Sequence, residues 1–523
     1  MALFEVWAPR AREVEVVVSP GQSGERRVAM RGPDAEGWFR SDVEGLGPGD
    51  DYSFSLDGGP PRPDPRSPSQ PAGVHGPSRL VDHETFPWTD AGWVPPSLAD
   101  GVVYELHVGT FSPEGTFDGA AARLDHLADL GVTTVEVMPV AEFPGRRGWG
   151  YDGVDLWAPH SAYGGPDGFK RLVDACHARG LAVVLDVVYN HLGPDGNYLP
   201  GFGPYFTDRY VTPWGEAVNY DGAESDQVRA FVVGNACMWV RDYHVDGLRL
   251  DAVHAIVDTS AVSIVEEIAT AVHELGRALG RPTWVVAESD LNDPRVVRAV
   301  DAGGYGCDAQ WSDDFHHALH AALTGEREGY YADFGSLAHL AKALTRVWVH
   351  DGCRSAYRRR HGRPATDLPG SRFFGYLQNH DQVGNRAPRR RSSTSPTTTT
   401  PTWRELSAKG GGESSRPSAG TPPRSPTLRT PRPSGGRSST GASAAVRPMP
   451  SCSTGTATSS GCGGRCRRFP AGPSRRSESA STRTPAGSSW SGAPSRSCAT
   501  WPSASRPSRP ATATRAPYPP SRS

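Results

Sequence analysis

The sequence predicts an α/β fold in which an N-terminal β-sandwich precedes a parallel barrel that lacks its last strand. Three observations lead to this prediction. Residues 1–95 contain short β-rich segments between turn signals, residues 96–387 alternate short apolar strands with helical patterns, and residues 388–523 form a low-complexity tail of Arg, Ser, Pro and Thr. Consecutive short strands are typical of sandwiches, whereas alternating strands and helices are typical of parallel sheets. We therefore expect three regions, with boundaries near residues 95 and 387.

The sandwich is predicted from three stretches. "FEVWAP" and "VEVVV" are β-rich, and "GWFRSDVEGLGPGDDYSFSLDG" alternates polar and apolar residues between turn signals. The Pro-rich "GGPPRPDPRSPSQP" that follows predicts a loop leading away from the sandwich.

The barrel is predicted from a change of rhythm at Val102. The segments "VVYELHV", "GAAARLDHLADLG", "TTVEVMPV", "GFKRLVDACHARG" and "AVVLDVV" alternate strand and helix, and further strands follow at "DGLRLDA", "TWVVAES", "CDAQWSD" and "RFFGYLQNHD". Seven such repeats predict a (β/α)8 TIM barrel, whose active site lies at the carboxyl ends of the strands. An eighth strand is expected after Asp381, but the tail begins there instead, so we expect an incomplete barrel.

Charge also divides the chain near residue 387. Residues 1–387 carry 33 basic and 54 acidic side chains, whereas residues 388–523 carry 22 basic and 3 acidic ones. The acidic net charge of residues 1–387 disfavours a nucleic-acid partner, because nucleic-acid-binding proteins need a basic surface. The start of the chain lacks a basic region followed by an apolar run, and no 18-residue apolar stretch occurs. We therefore expect no signal peptide, no membrane span and a cytoplasmic location.

The cysteines before the tail are far apart and lack CxxC spacing, so we expect reduced thiols in the core at Cys176, Cys237, Cys307 and Cys353. No phosphate loop, nucleotide fingerprint or metal-ligand spacing stands out. The sequence thus predicts neither a metal nor a cofactor.

Polar residues stand at the ends of four predicted strands. They are Asp186, Asn190 and His191 in "LDVVYNH", Arg249, Asp251 and His254 in "GLRLDAVH", Glu288 in "VVAES", and His380 and Asp381 in "QNHD". Because side chains alternate along a strand, Arg249 and Asp251 share one face, where an ion pair would keep Asp251 ionised. A single strand-end Asp is more often a turn or cap residue. Four charged strand ends favour an active site, since burying unpaired carboxylates is costly.

Two carboxylates across a cleft are the requirement of glycoside hydrolysis, in which one is a nucleophile or base and the other an acid with a raised pKa. The loop "GRRGWGYDGVDLWAPHSAYGGPDG" adds Trp149 and Tyr151. These rings are suited to stacking on sugars, but packing within the loop is an equally good interpretation.

The segments "DVVYNH", "GLRLDAVH", "AES" and "QNHD", in this order, resemble the four signature regions of the alpha-amylase clan of glycoside hydrolases. The resemblance implies a retaining mechanism with Asp251 as nucleophile, Glu288 as acid/base, and Asp381 binding the hydroxyls of the distorted sugar in the transition state. It also implies that His191, Arg249 and His380 contact the sugar or orient the carboxylates, and that Asp186 supports the nucleophile. Trp149, Tyr151 and His254 complete the predicted substrate-binding set.

Within the clan, "AESDLNDPR", "WSDDFHHALH" and "NHDQVGNRA" resemble the malto-oligosyltrehalose trehalohydrolase family, and the likeness covers residues 1–387. It implies hydrolysis of the α-1,4 bond next to the terminal trehalose unit of maltooligosyl trehalose, without a cofactor. It further implies a glucan-binding-like sandwich and maltooligosyl trehalose synthase as functional partner. A 1,4-alpha-glucan branching enzyme, which shares the sandwich-plus-barrel plan, and a non-catalytic glucan-binding protein remain alternatives.

The tail contains no Ile, Asn, Asp, Gln or His. One interpretation is a native, disordered basic linker. We favour a frameshift after about Ala387 in a GC-rich gene. When each third base of "ESSRPSAGTPPRSPTLRTP" is read with the next two bases, synonymous codons allow Glu-Phe-x-Ala-Phe-Gly-Trp-Asp-Pro-x-Glu-Val-Pro-Asp-Pro-Gln-Asp-Pro. That string resembles the trehalohydrolase family's own continuation.

A barrel without its eighth strand has two unpaired edges. Catalytic geometry depends on closure, because a displacement of about 1 Å can lower a rate on the order of a hundredfold. We therefore expect the chain as written to be weakly active, unstable or insoluble, and an in-frame parent to be a working enzyme.

Overall fold

The computed structural model describes residues 2–384, and the structural statements below concern those residues. The predicted tail and the predicted frameshift lie outside them.

Six strands in the first 80 residues form two antiparallel sheets: β1 (Ala2–Trp7), β2 (Val14–Val18), β3 (Arg26–Ala29), β4 (Trp38–Val43), β5 (Asp51–Leu56) and β6 (Ser78–Arg79). β1 pairs with β4, and the other sheet has the order β3-β2-β5-β6. The two sheets pack through aromatic side chains, since the ring centroid of Phe4 on β1 lies 4.9 Å from that of Tyr52 on β5. A sandwich therefore forms as predicted.

Thirteen further strands occur among the described residues: β7 (Val103–Leu106), β8 (Thr134–Val137), β9 (Ala141–Glu142), β10 (Asp155–Pro159), β11 (Ala182–Val187), β12 (Phe206–Thr212), β13 (Gly215–Val218), β14 (Gly247–Leu250), β15 (Trp284–Ala287), β16 (Ala309–Trp311), β17 (Arg354–Ser355), β18 (Arg359–Arg360) and β19 (Phe373–Phe374). Seven of them form one parallel sheet in the order β19-β16-β15-β14-β11-β8-β7. The predicted fold class is confirmed, and residues 2–384 contribute seven barrel strands, with β7 and β19 at the edges.

Ten α-helices accompany the strands: α1 (Val108–Phe111), α2 (Phe117–Ala121), α3 (Leu124–Leu130), α4 (Gly165–His177), α5 (Leu199–Phe202), α6 (Ser225–Asp242), α7 (Ile264–Leu279), α8 (Asp313–Thr324), α9 (Leu337–Arg346) and α10 (His380–Gly384). The predicted helix over "GAAARLDHLADLG" is two short helices, α2 and α3. Between them the Arg123 amide donates to the Ala120 carbonyl at 2.9 Å, and the Arg123 side chain donates to the Gly119 carbonyl at 2.8 Å. None of these helices is long and apolar enough to cross a membrane.

The central strands β8, β11, β14 and β15 are buried along their whole length. Parallel sheets are usually covered on both faces, which requires such continuous burial. Leu98, in a short 3-10 turn ahead of β7, packs against Ala182, Val184 and Trp284. It thereby helps to fill the inside of the sheet at the amino ends of the strands.

The segment between the sandwich and β7 is fastened to those amino ends by a group that we call the lower clamp: Asp90, Trp93, His177, His244 and Asp246. Asp90 Oδ2 lies 2.9 Å from His177 Nδ1 and 2.8 Å from His244 Nδ1. Asp246 Oδ2 lies 3.1 Å from His177 Nε2, and Trp93 Nε1 donates to Asp246 Oδ1 at 2.8 Å. The residues between the sandwich and β7 are therefore held by largely buried polar contacts, which the sequence analysis did not predict.

Two expectations at smaller scale need correction or remain open. Cys176, Cys237 and Cys307 are buried free thiols as expected, but Cys353 is exposed, because it lies on the loop that leads into β17. The domain boundaries at residues 95 and 387 stay predictions.

Candidate active site

The four charged strand ends meet around one cavity of about 350 Å³ at the carboxyl ends of the parallel strands. Eight of the predicted site residues line it: Trp149, Tyr151, His191, Asp251, His254, Glu288, His380 and Asp381. The other two, Asp186 and Arg249, lie directly beneath it and contact Asp251 or its partners. The sequence therefore located the cavity through residues that are up to 232 positions apart.

Arg249 is the cation at the centre of this site, and its side chain is almost completely buried. Asp186 on β11 is its register partner across the sheet, and both carboxylate oxygens of Asp186 accept from Arg249 Nη1 at 2.8 Å. The same nitrogen donates to Asp251 Oδ1 at 2.8 Å, because residues 249 and 251 project to the same face. Arg249 Nη2 lies 2.8 Å from Glu288 Oε2. One guanidinium thus faces three carboxyl groups.

One positive charge cannot neutralise three buried carboxylates, so their environments must differ. Burial raises the pKa of Asp251, but the Arg249 cation and a 2.6 Å hydrogen bond from Asn190 Nδ2 outweigh it, and the net shift is downward. Burial raises the pKa of Asp186 to about 6 against the attraction of Arg249, while Tyr151 donates its hydroxyl to Oδ2 at 2.6 Å. Asp251 is therefore the carboxylate held ionised.

Glu288 has the opposite environment. Burial raises its pKa well above the ordinary value, and the carboxylates of Asp251, Asp381 and Asp313 add to this, although Arg249 opposes it. Its Oε2 accepts from Arg249 and from the Ala252 amide at 2.8 Å. Among residues 2–384 no donor contacts Oε1, which leaves that oxygen to carry a proton toward the cavity. An ionised and a protonated carboxyl group on one cavity are the pair that acetal chemistry needs.

The turn between these two carboxyl groups has an unusual backbone. Ala252 has φ of 40° and ψ of 50°, the left-handed region that residues with a β-carbon seldom adopt. β14 ends at Leu250, and this conformation turns the chain immediately after Asp251 and directs the Ala252 amide at Glu288. Strained backbone of this kind occurs where the surrounding structure fixes it, commonly at active sites.

The fourth charged segment begins at the start of α10. The His380 ring stacks on Tyr151 with centroids 4.9 Å apart, and the Trp149 ring meets it edge-on at 5.4 Å. Asp381 is the more open carboxylate, with 43% of its side chain exposed, and its Oδ1 lies 3.7 Å from His380 Nε2. Tyr151 and Trp149 thus border the cavity through contacts with His380 and not as isolated loop residues.

The cavity also has lining residues that the sequence interpretation missed: Trp214, Ala252, Asp290, Asp313, His317, Tyr330, Arg358 and Gln382. Trp214, in the turn between β12 and β13, stacks on His191 with centroids 4.7 Å apart. A Trp in a polar turn, "TPWGE", was a signal that could have identified it.

Four of the missed residues come from the long excursion between β16 and β19. Within it, Arg358 donates to the Asp290 carbonyl at 2.7 Å and lies 3.3 Å from Asp290 Oδ2. Tyr330 stacks on His317 with centroids 4.8 Å apart. Nothing in "YRRRHG" indicates which arginine reaches the site, because that depends on how the excursion folds back.

The chemistry available is displacement at an acetal carbon with delivery of a proton to the leaving oxygen. Among the described residues, no group of three or more His, Cys, Asp or Glu side chains is arranged to hold a metal ion.

Several known proteins are similar to this chain. Residues 81–201 match the family model of the alpha-amylase catalytic domain. The chain is 54% identical to a malto-oligosyltrehalose trehalohydrolase of Arthrobacter ramosus over 388 residues, 73% of this chain and 67% of that protein. It is 50% identical to one of Saccharolobus solfataricus over 384 residues, 73% of this chain and 66% of that protein.

A 1.4 Å crystal structure named as an alpha amylase of Salmonella typhimurium superposes with a TM-score of 0.68 at 43% identity, covering 73% of this chain and 65% of that one. A branching enzyme of Rhodococcus jostii is more distant, at 32% identity over 60% of this chain and 47% of that protein.

The chain matches about two thirds of the length of the trehalohydrolases. Identity of 50% or more over that length exceeds what the shared fold alone produces, and the branching enzyme falls well below it. The chain therefore belongs to the malto-oligosyltrehalose trehalohydrolase family, within the alpha-amylase family of glycoside hydrolases.

Proposed function

We propose that this protein hydrolyses the α-1,4-glucosidic bond next to the terminal trehalose unit of maltooligosyl trehalose and releases trehalose. The observation that carries the proposal is the cavity in which Asp251 is held ionised while Glu288 retains a proton. The relatives named as trehalohydrolases support the choice of substrate.

In the first step, a carboxylate oxygen of Asp251 attacks the anomeric carbon while Glu288 donates its proton to the glycosidic oxygen. The carbon–oxygen bond breaks, trehalose leaves as an alcohol, and a β-glycosyl ester with Asp251 remains. The raised pKa of Glu288 supports the acid role, because the carboxyl group must be protonated when the bond breaks.

In the second step, Glu288 is a carboxylate and removes a proton from water. The water oxygen attacks the same carbon, Asp251 is released, and the product keeps the α configuration. Glu288 thereby regains its proton for the next cycle.

The remaining predicted residues have supporting roles in this proposal. Asp381 binds hydroxyls of the distorted sugar and stabilises its transition state, with His380 beside it. Arg249 and Asp186 orient Asp251 from beneath. His191 and His254 line the same cavity, and Trp149 and Tyr151 border the sugar site. The family implies that maltooligosyl trehalose synthase supplies the substrate.

We further propose that the chain as written has low activity. Among residues 2–384 the barrel edges β7 and β19 pair with no eighth strand, and Leu377 just beyond β19 is 77% exposed. Exposed apolar groups beside an open sheet edge favour aggregation. A frameshift after about Ala387 would change the residues in which the eighth strand is expected, and restoring the frame is expected to restore closure.

The test compares the chain as written with a frame-restored chain on maltotriosyl trehalose. Trehalose release by the frame-restored chain, at least tenfold faster than by the chain as written, is the expected result. New α-1,6 branches would instead identify a branching transferase, and tight glucan binding with no turnover would identify a binding protein. Resequencing the DNA across the codons for Asn385 to Ser395 decides whether a base is missing or added.

A further inference from the structure

Glu105 lies on the edge strand β7 and does not line the active-site cavity. Its backbone pairs with β8 on one side, and its side chain reaches past the open edge to the segment that follows β19, the other edge strand. It is thus a side-chain link between the two edges that no described strand joins.

Both carboxylate oxygens of Glu105 contact the same residue. Oε2 accepts from the His380 backbone amide at 2.8 Å, and Oε1 lies 2.8 Å from His380 Nδ1. Only 13% of the Glu105 side chain and 7% of the His380 side chain are exposed. A buried carboxylate that binds an amide and a ring nitrogen of one residue fixes both the position of its main chain and the rotation of its ring.

Among residues 2–384, no side chain supports Asp381 in a comparable way. Its amide donates to Asn379 Oδ1 at 3.0 Å, and its side chain is the open one of the catalytic set. Because Asp381 is the next residue after His380, the main-chain contact with Glu105 also fixes the position of the Asp381 backbone. His380 Nε2, on the far side of the ring from Glu105, faces Asp381.

Glu136 shows that a buried carboxyl group at this edge does not by itself imply such a role. It is the register partner of Glu105 on β8, is fully buried, and does not line the cavity. Burial and the neighbouring Glu105 raise the pKa of Glu136 well above its ordinary value, whereas the contacts with His380 lower the pKa of Glu105 despite its burial. Of the two neighbours, Glu105 is the ionised one and Glu136 is a matched control.

We propose that Glu105 is a positioning residue that holds the main chain and imidazole of His380, and through them places Asp381 over the cavity across the open edge of the barrel. The part of this inference that concerns Asp381 rests on the proposed function. The part that concerns His380 does not.

The first test is the titration of the His380 ring by NMR in the full chain, with the resonance assigned by its loss in His380→Asn. Burial lowers the pKa of His380, but Glu105 and Asp381 raise it above the ordinary value, while Arg249 opposes them. Tyr151 also faces the ring, and the charge of His380 lowers the pKa of the nearby His107. In Glu105→Gln we expect the ring to bind its proton at least tenfold more weakly, whereas Glu136→Gln should leave the titration unchanged.

The second test measures turnover on maltotriosyl trehalose. Glu105→Gln is expected to lower kcat by roughly tenfold to a hundredfold with little change in KM, because Asp381 acts mainly in the transition state. Glu105→Asp keeps the charge and is expected to recover part of both readouts. It also replaces Glu105→Gln in the titration if that variant fails to fold.

An unchanged His380 titration in both Glu105 variants would overturn the inference, whatever the activity. Equal losses in Glu105→Gln and Glu136→Gln would also overturn it, because they would indicate general loosening of the edge. If the frame-restored chain releases no trehalose while the His380 titration responds to Glu105, the proposed function fails and the link between the edges stands.

Discussion

Two buried charge clusters lie at opposite ends of the same parallel strands, and they are built differently. The cluster at the carboxyl ends has one cation, Arg249, facing Asp186, Asp251 and Glu288. The lower clamp at the amino ends has two carboxylates and two imidazoles, with a tryptophan and a backbone amide as further donors. The first cluster has three carboxyl groups for one cation, whereas the second has as many imidazoles as carboxylates.

The lower clamp has the contacts expected of a cluster that stabilises the fold. His177 has both ring nitrogens within hydrogen-bond distance of carboxylates, and the Trp93 ring stacks on it with centroids 4.6 Å apart. Burying such a network is tolerable because both carboxylates and both ring nitrogens of His177 have partners, yet removing one member leaves a buried charge unpaired. The cluster around Arg249 leaves the Glu288 carboxyl group protonated beside the ionised Asp251. An excess of carboxyl groups over cations therefore distinguishes the active-site end of the strands from the end that holds the lower clamp.

The largest effect is expected from removing the nucleophile. Asp251→Asn should lower trehalose release on the order of 10⁴-fold, since the covalent step requires an ionised carboxylate. Binding of the unreacted substrate, followed by calorimetry, should persist because the shape of the cavity is kept. Turnover within tenfold of the parent would contradict the assignment of Asp251.

Glu288→Gln is the next largest, with an expected loss of roughly 10² to 10⁴ in kcat. The pH profile sharpens the prediction. Because the pKa of Glu288 is raised, the acid form persists well above pH 4.5, and the alkaline limb of kcat/KM reports its deprotonation. That limb should disappear in Glu288→Gln. A parent whose rate already falls as the pH rises through 4.5 would contradict the protonated state.

The lower clamp should respond in stability and not in chemistry. His177→Ala leaves Asp90 and Asp246 without their shared imidazole, and breaking a buried pair of this kind costs about 3–5 kcal/mol of unfolding free energy. Chemical denaturation checks this, with kcat per folded molecule as the control. Unchanged stability would mean that the contacts of the clamp are not maintained in solution.

The clamp also predicts a pH window. The two carboxylates raise the pKa of His177 despite burial, so its stabilisation is complete below pH 6.5 and is lost as the pH rises through the raised value. His177 and His244 lower the pKa of Asp90 despite its burial, so that contribution is complete above pH 3.8 and is lost as the pH falls through the lowered value. The stability difference between the parent and His177→Ala should be largest between about pH 4 and 6.5. A difference that grows above pH 8 would contradict the assignment.

Asp125→Ala gives the smallest expected effect and serves as a surface comparison for the clamp. Asp125 pairs with Arg179 at 2.6 Å, but 77% of its side chain is exposed. Exposed ion pairs contribute less than about 1 kcal/mol, because water and salt screen them. A loss as large as that of His177→Ala would show that the exposed and the buried charge pairs stabilise this protein equally.

Sequence reasoning located the parallel strands and the carboxylates because both depend on local pattern. Strand ends such as "GLRLD" place Arg249 and Asp251 on one face whatever the rest of the chain does. It missed Arg358 and Tyr330, which reach the cavity only because the excursion between β16 and β19 folds back over it. It also passed over Glu105 and the lower clamp, whose partners lie 275 and 69 to 154 residues away along the chain. Long-range side-chain contacts leave no periodic signal in one sequence.

The left-handed Ala252 limits how far this enzyme can be stabilised by engineering. A residue with a β-carbon in that conformation costs roughly 1–2 kcal/mol, so Ala252→Gly is an obvious stabilising substitution. The same turn aims an amide at Glu288, and a glycine would free the backbone to point it elsewhere. Thermostability gained at this position is therefore expected to be lost as turnover, a trade-off confined to one peptide unit.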